Sequence, residues 1–131
     1  MKRFFLTVMT AMVLPFTAFA DDPLPVEVWV CDYKEGKTLA DLEGWYDEFN
    51  ELSDKMDNPD FEAWIWTPFF ADLEMADVLV VTSFPDLESM GQSMMEFFGG
   101  EETGALFERY QSIVDCKGRD LWMVQQMRKR D

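Results

Sequence analysis

Four short segments of the chain are apolar on both sets of alternate positions. Val26-Glu27-Val28-Trp29-Val30-Cys31 has valine at every position of one set and Trp29 and Cys31 in the other, and Phe61–Trp66, Val78–Val81 and Leu121–Val124 repeat the pattern. Successive side chains of a strand point to opposite faces, so segments of this kind build a sheet that is apolar on both sides. Only two substantial stretches carry helical spacing, and they can cover one side. A second copy of the chain is the simplest cover for the other.

The elements follow in order. After Pro23 and Pro25 a strand is expected from about Val26 to Tyr33, and Lys34-Glu35-Gly36-Lys37 turns the chain. Thr38 caps a helix with Asp41 three residues on; Leu39, Leu42, Trp45 or Tyr46, Phe49, Leu52 and Met56 follow at helical spacing. Asp57-Asn58-Pro59-Asp60 stops that helix, because proline disfavours helical geometry in the residue before it. Strands are expected at Phe61 to Phe70 and at Met75 or Ala76 to Phe84, joined by a hairpin turn around Ala71 to Glu74, with Pro68 at an edge or a bulge. Asp86 opens a second helix through Leu87, Met90, Met94 and Phe97 or Phe98. Gly99-Gly100 interrupts it before a helical piece with Leu106, Phe107, Tyr110, Ile113 and Val114, and the last strand runs from about Arg119 to Met127. The order β-α-β-β-α-β is that of the ferredoxin-like α+β fold, with a four-stranded antiparallel sheet.

Composition adds a compartment. Lys2 and Arg3 precede an apolar run, and Ala18-Phe19-Ala20 is a small-x-small cleavage site before Asp21-Asp22, so residues 1–20 read as a cleaved signal peptide and residues 21–131 as one domain. The run contains Pro15 and falls short of the roughly 20 residues of a spanning helix. A periplasmic or secreted protein is expected, without a membrane anchor once the leader is removed. The net charge is -15 and becomes -17 when the two basic residues of the leader go. Such a surface repels phosphate backbones and argues against nucleic acid as a partner.

In an oxidising compartment the two cysteines, Cys31 and Cys116, are expected to pair. Closing so long a loop restricts the unfolded chain by about 4 to 5 kcal/mol in the loop-entropy description. In a ferredoxin-like sheet the first and last strands lie side by side and antiparallel. The end of the first, at Cys31, therefore meets the beginning of the last, at Cys116, and paired residue numbers sum to about 147. That register sets Glu27 opposite Asp120.

On these residues the chain resembles the dimeric α/β-barrel superfamily, in which two ferredoxin-like sheets pack face to face. It is also similar to small exported proteins of marine bacteria in Cys31, Gly36-Lys37, Ala63-Trp64-Ile65, Thr67-Pro68, Ser83-Phe84-Pro85 and Asp115-Cys116. The shared motifs are turns and strand edges, so the resemblance implies a fold and no activity.

Candidate chemistry is sparse. With the valines of the first strand toward the helices, Trp29, Cys31 and Tyr33 take the far face, and Trp64, Trp66 and Trp122 are expected to join them. Four of the five tryptophans would then line one surface. That surface is an aromatic dimer interface, or an inter-sheet cavity for a small flat or apolar molecule. Glu27 and Asp120, if opposed there, could share a proton or a cation, one of them serving as acid or base with Tyr33 nearby. Lys34, Lys37, Lys117 and Arg119 are expected to gather at the disulfide end, beside both helix N-termini, where a small anion could be drawn in. Asp54, Asp57 and Asp60 have oxygen ligands but lack the spacing and glycine of a calcium loop. The chain has no histidine, which removes a Ser-His-Asp triad and a histidine-held haem. The reading is a homodimeric exported module that binds a small molecule or a partner, without a metal or cofactor. The alternative is a cofactor-independent oxygenase- or isomerase-like enzyme working through carboxylate and aromatic residues.

Overall fold

A computed structural model describes residues 22–69 and 76–128. Its elements are β1 (Leu24–Tyr33), α1 (Leu39–Ser53), β2 (Glu62–Trp66), β3 (Val78–Ser83), α2 (Leu87–Gly99), α3 (Glu101–Ile113) and β4 (Val114–Val124). The four strands form one antiparallel sheet in the order β2-β3-β1-β4, so the two central strands are β1 and β3. With the helices on one side, this is the ferredoxin-like α+β fold. The expected leader, the turn around Ala71 to Glu74 and residues 129–131 lie outside the described residues.

Local signals start and stop the elements largely as read. The turn before α1 places Gly36 at φ 75, a left-handed conformation that favours glycine, and closes with Lys37 N–H donating to the Lys34 carbonyl at 2.9 Å. The Asp41 carboxylate accepts from the Thr38 N–H at 2.9 Å and from its hydroxyl at 3.0 Å, and Asp86 accepts from the Ser89 N–H at 2.7 Å. The interruption expected at Gly99-Gly100 separates α2 from α3, with Gly100 between them extended at φ -83 and ψ 146. Strand β2 ends at Trp66, short of the expected Phe70, and β4 starts at Val114, ahead of the expected Arg119. The latter has a covalent reason: Cys116 is bonded to Cys31, 85 residues away in sequence, and holds the start of β4 against the end of β1.

Two corrections concern the sheet. Cys31 does pair with Cys116, but the register shifts between Val30 and Cys31: Val30 pairs with Gly118, leaving Lys117 as the extra residue of a bulge. Beyond it Glu27 lies opposite Leu121, and Asp120 lies opposite Val28. A one-residue slip transfers every later side chain of β4 to the other face, so the expected Glu27–Asp120 pair does not form. The second correction reverses the faces of β1. Cys31, with Trp29 and Tyr33 beside it, packs toward Leu42, Trp45, Leu106 and Tyr110 of the helices, whereas Val26, Val28 and Val30 belong to the open face.

The core is that helix-side layer. Leu42, Val78 and Cys31 are fully buried; the Trp45 indole N–H donates to the Leu106 carbonyl at 2.8 Å and ties α1 to α3. At the surface the Arg109 guanidinium on α3 pairs with Glu48 on α1, with one N–H donating at 3.0 Å. The chain after α1 is pinned to α2 by the Glu96 carboxylate, which accepts from the Asp57 N–H at 2.7 Å and the Asn58 N–H at 3.2 Å.

Candidate functional site

Between the helices and the sheet lies a cavity of about 90 Å³, with walls drawn from β1, β3 and all three helices. Aromatic rings dominate those walls. Phe49 stacks on Trp45 with centroids 5.1 Å apart, and Phe107 stacks on Tyr110 at 5.9 Å, with Trp29 edge-on to both members of the second pair. Such offset and edge-on contacts add to the stability that area burial alone confers. The ring positions come from helix spacing on α1 and α3 and from the parity of β1, which turns Trp29 inward.

Glu27 is the one charged residue of the lining, and its side chain is only 8% exposed. Burying a carboxylate without a partner is costly, and the partner here is Arg119, whose guanidinium N–H donates to it. The bulge makes this pairing possible, because it brings Arg119 opposite Trp29 on the helix side. The guanidinium also lies over the Trp29 ring, 4.7 Å from its centroid, and 5.9 Å from the centroid of Phe98. Tyr110 closes the floor. Its hydroxyl sits 3.4 Å from Cys31 Sγ and 3.3 Å from Cys116 Sγ, and as disulfide sulfurs carry no proton it is the hydroxyl that donates. Burial raises the pKa of Tyr110 far above the ordinary phenol value, with the negative charges possible at Tyr46 and Glu27 adding to it; burial alone raises Tyr46.

The sequence-predicted residues are divided among three places. Glu27, Trp29 and Arg119 meet at the cavity. Trp64, Trp66 and Trp122 stay on the open face, 41%, 51% and 58% exposed, with Asp120 on the same side. Three tryptophans rather than four therefore share that surface, since Trp29 is turned inward. Tyr33 lies beyond the disulfide with its hydroxyl buried and without a hydrogen-bond partner among the described residues; burial and the nearby Asp77 and Glu43 raise its pKa.

The expected basic cluster does not assemble as a site. Lys117 pairs with Asp32, Lys37 lies 3.5 Å from Asp41, and Lys34 is exposed at the turn, while Arg119 is committed to Glu27. The hydrogen bond to Asp32 raises the Lys117 pKa, and the same contact lowers that of Asp32. Nor do two helix N-termini converge there. β3 runs from Val78, opposite Cys31, to Ser83, opposite Val26, so α2 begins at the end of the sheet away from the disulfide.

The cavity itself escaped sequence reading. Phe49, Phe97, Phe107 and Tyr110 stand at helical spacing and read equally well as ordinary core. The one signal that could have exposed the site is Lys117-Gly118, since a glycine inside a strand often marks a bulge.

No protein-family model matches the chain, and none of the curated proteins does. Among solved structures it is similar to a hypothetical protein of Arabidopsis thaliana determined in solution, at 10% identity and a TM-score of 0.53, over 85% of this chain and 94% of that one. A second similar structure is a dimeric protein of unknown function with a ferredoxin-like fold from Bacteroides fragilis, at 8% identity and a TM-score of 0.43, over 79% of this chain and 96% of that one. At these identities the likeness concerns the fold.

Proposed function

We propose that this protein is an exported binding module that works as a homodimer, holding a small, mostly apolar molecule between its helices and its sheet. The observation that carries this reading is the cavity, whose walls are mostly aromatic, with Met56, Val80 and Met94 among them, apart from one buried carboxylate and a few hydroxyls. Ligand sites are commonly of this make, apolar with a few placed polar groups. At about 90 Å³ the space falls below the ~300–1,000 Å³ of pockets for drug-sized ligands and below the ~150 Å³ of a closed cavity that takes up benzene, so it holds a short alkyl chain or part of one aromatic ring, the rest of the molecule staying outside it.

The open face supports the dimer. Trp64, Trp66, Trp122 and Val124 are exposed there beside Leu24, and all the described helices pack on the other side. Aromatic residues grouped in this way are typical of the centre of protein interfaces. Export is supported by the disulfide and by the leader-like run of residues 1–20; no helix among the described residues is long and apolar enough to cross a membrane. The enzymatic alternative has less behind it, because Arg119 occupies the Glu27 carboxylate that would act as base, and Asp120 lies on the opposite face.

Native mass spectrometry of the protein purified from its source tests both parts together. The expected result is a dimer mass carrying an additional small molecule, released on denaturation. A monomer at micromolar concentration would remove the dimer, and failure of any small aromatic or alkyl probe to bind would remove the ligand.

A further inference from the structure

We propose that the ligand of this cavity is an organic cation, a protonated amine on a small aromatic or alkyl body, and that the Arg119 guanidinium is the chain's own occupant of the place the amine takes. The proposal rests on the binding reading above and specifies the chemistry of that site.

Four observations lead to it. The cavity walls hold one formal charge, the Glu27 carboxylate, and it is negative. Arg119 is not itself a wall residue, yet every group it touches is one: Glu27, the ring faces of Trp29 and Phe98, and the sulfur of Met94 at 3.4 Å. A carboxylate flanked by ring faces and a thioether is the arrangement that recognises an alkylammonium or guanidinium group. The guanidinium is held at the rim rather than sealed in, since the Arg119 side chain is 45% exposed and comes from an edge strand, so it can swing into water once another cation takes its place on the buried Glu27 carboxylate. An incoming ammonium would then take over Glu27 and the rings while its apolar body enters the cavity. Finally, 26 acidic residues against 11 basic ones draw cations toward the molecule and repel anions, which opposes the converse arrangement of a ligand carboxylate on Arg119.

Three probes of similar shape separate the possibilities: phenethylamine, 2-phenylethanol and 3-phenylpropionate, titrated calorimetrically into the full-length protein. Phenethylamine is expected to bind about tenfold more tightly than the alcohol, the scale of one desolvated cation–π contact with a charge partner. Arg119→Ala is expected to tighten the amine further, by removing the internal competitor, and Glu27→Gln to abolish the preference for amine over alcohol. If Arg119→Ala folds poorly, phenethylamine is expected to raise its melting temperature more than that of the parent protein, and Arg119→Gln supplies a second variant. Equal affinity for all three probes would overturn the cation while leaving the binding reading intact. Preferred binding of 3-phenylpropionate, lost on removing Arg119, would replace the cation with an anion. Binding of none of the three, in parent or variants, would end both proposals.

Discussion

The two faces of the sheet are built from nearly the same residue types and have opposite fates. On the helix side Trp29, Cys31, Val78 and Val80 are enclosed by Leu42, Trp45, Leu106 and Tyr110, and the buried Glu27 carboxylate there is paired with Arg119. On the other side Val26 and Val81 are buried beside their cross-strand partners Trp122 and Trp64, but the tryptophans themselves face outward. Hydrophobicity therefore does not distinguish the two faces; what does is whether another layer is available within the same chain. The helix face is complete in one copy. The open face is complete only if something covers it.

The largest effect should come from cutting the bond that registers the helix face. Replacing both Cys31 and Cys116 by serine is expected to cost about 2–5 kcal/mol and to lower the melting temperature by roughly 10–25 °C, read by thermal unfolding. An unchanged melting temperature would show that the register does not depend on the bond. Leu42→Ala on the same face should cost about 2–5 kcal/mol, because it is fully buried and leaves a cavity.

On the open face the corresponding change should behave differently. Trp64→Glu or Trp122→Glu is expected to leave the fold of the subunit intact while shifting it to the monomer in sedimentation at micromolar concentration, since exposed aromatic anchors serve association. Loss of folding instead would mean that the open face is core.

The pair between Glu27 and Arg119 offers a sharper test of enclosure. Arg119→Leu leaves a carboxylate buried without a partner and is expected to cost about 2–3 kcal/mol; Glu27→Leu leaves a cation that can reach water and is expected to be near neutral. Equal costs in denaturant unfolding would show that Glu27 is hydrated in solution.

The smallest expected effect is that of pH on the helix caps. The Thr38 N–H holds the Asp41 carboxyl below the usual carboxylate range, and the Ser89 N–H does the same for Asp86. The unfolded chain then takes up protons at higher pH than the folded one. Their contribution is fully present above the ordinary carboxylate pKa of about 4 and is lost as pH falls through the lower folded values. Stability should be flat above pH ~5 and decline below pH ~4, and Asp86→Ala should weaken that decline; an unaltered acid limb would remove the cap as its source.

Much of the fold was legible because its signals are local. Thr38 with Asp41, the left-handed Gly36, Asp86 before Leu87 and the extended Gly100 each act within a turn of chain, and they set where elements begin and end. The disulfide was legible too, because a chain with two cysteines allows one pairing. The faces were not legible. Alternation tells inside from outside only when one set of positions is polar, and in β1 both sets are apolar, so parity carried no sign.

The amino-acid sequence alone determined the order of strands and helices, the starts of α1 and α2 and the covalent link between β1 and β4. Tertiary structure decided which face of β1 the helices cover and, through one surplus residue, Lys117, moved Arg119 of β4 to the helix side and Asp120 and Trp122 to the other. The reason is geometric: a strand repeats every two residues, so a single insertion inverts everything after it. The pairing of Arg119 with Glu27 follows from that inversion, while the burial of Glu27 follows from the face of β1 that the helices cover.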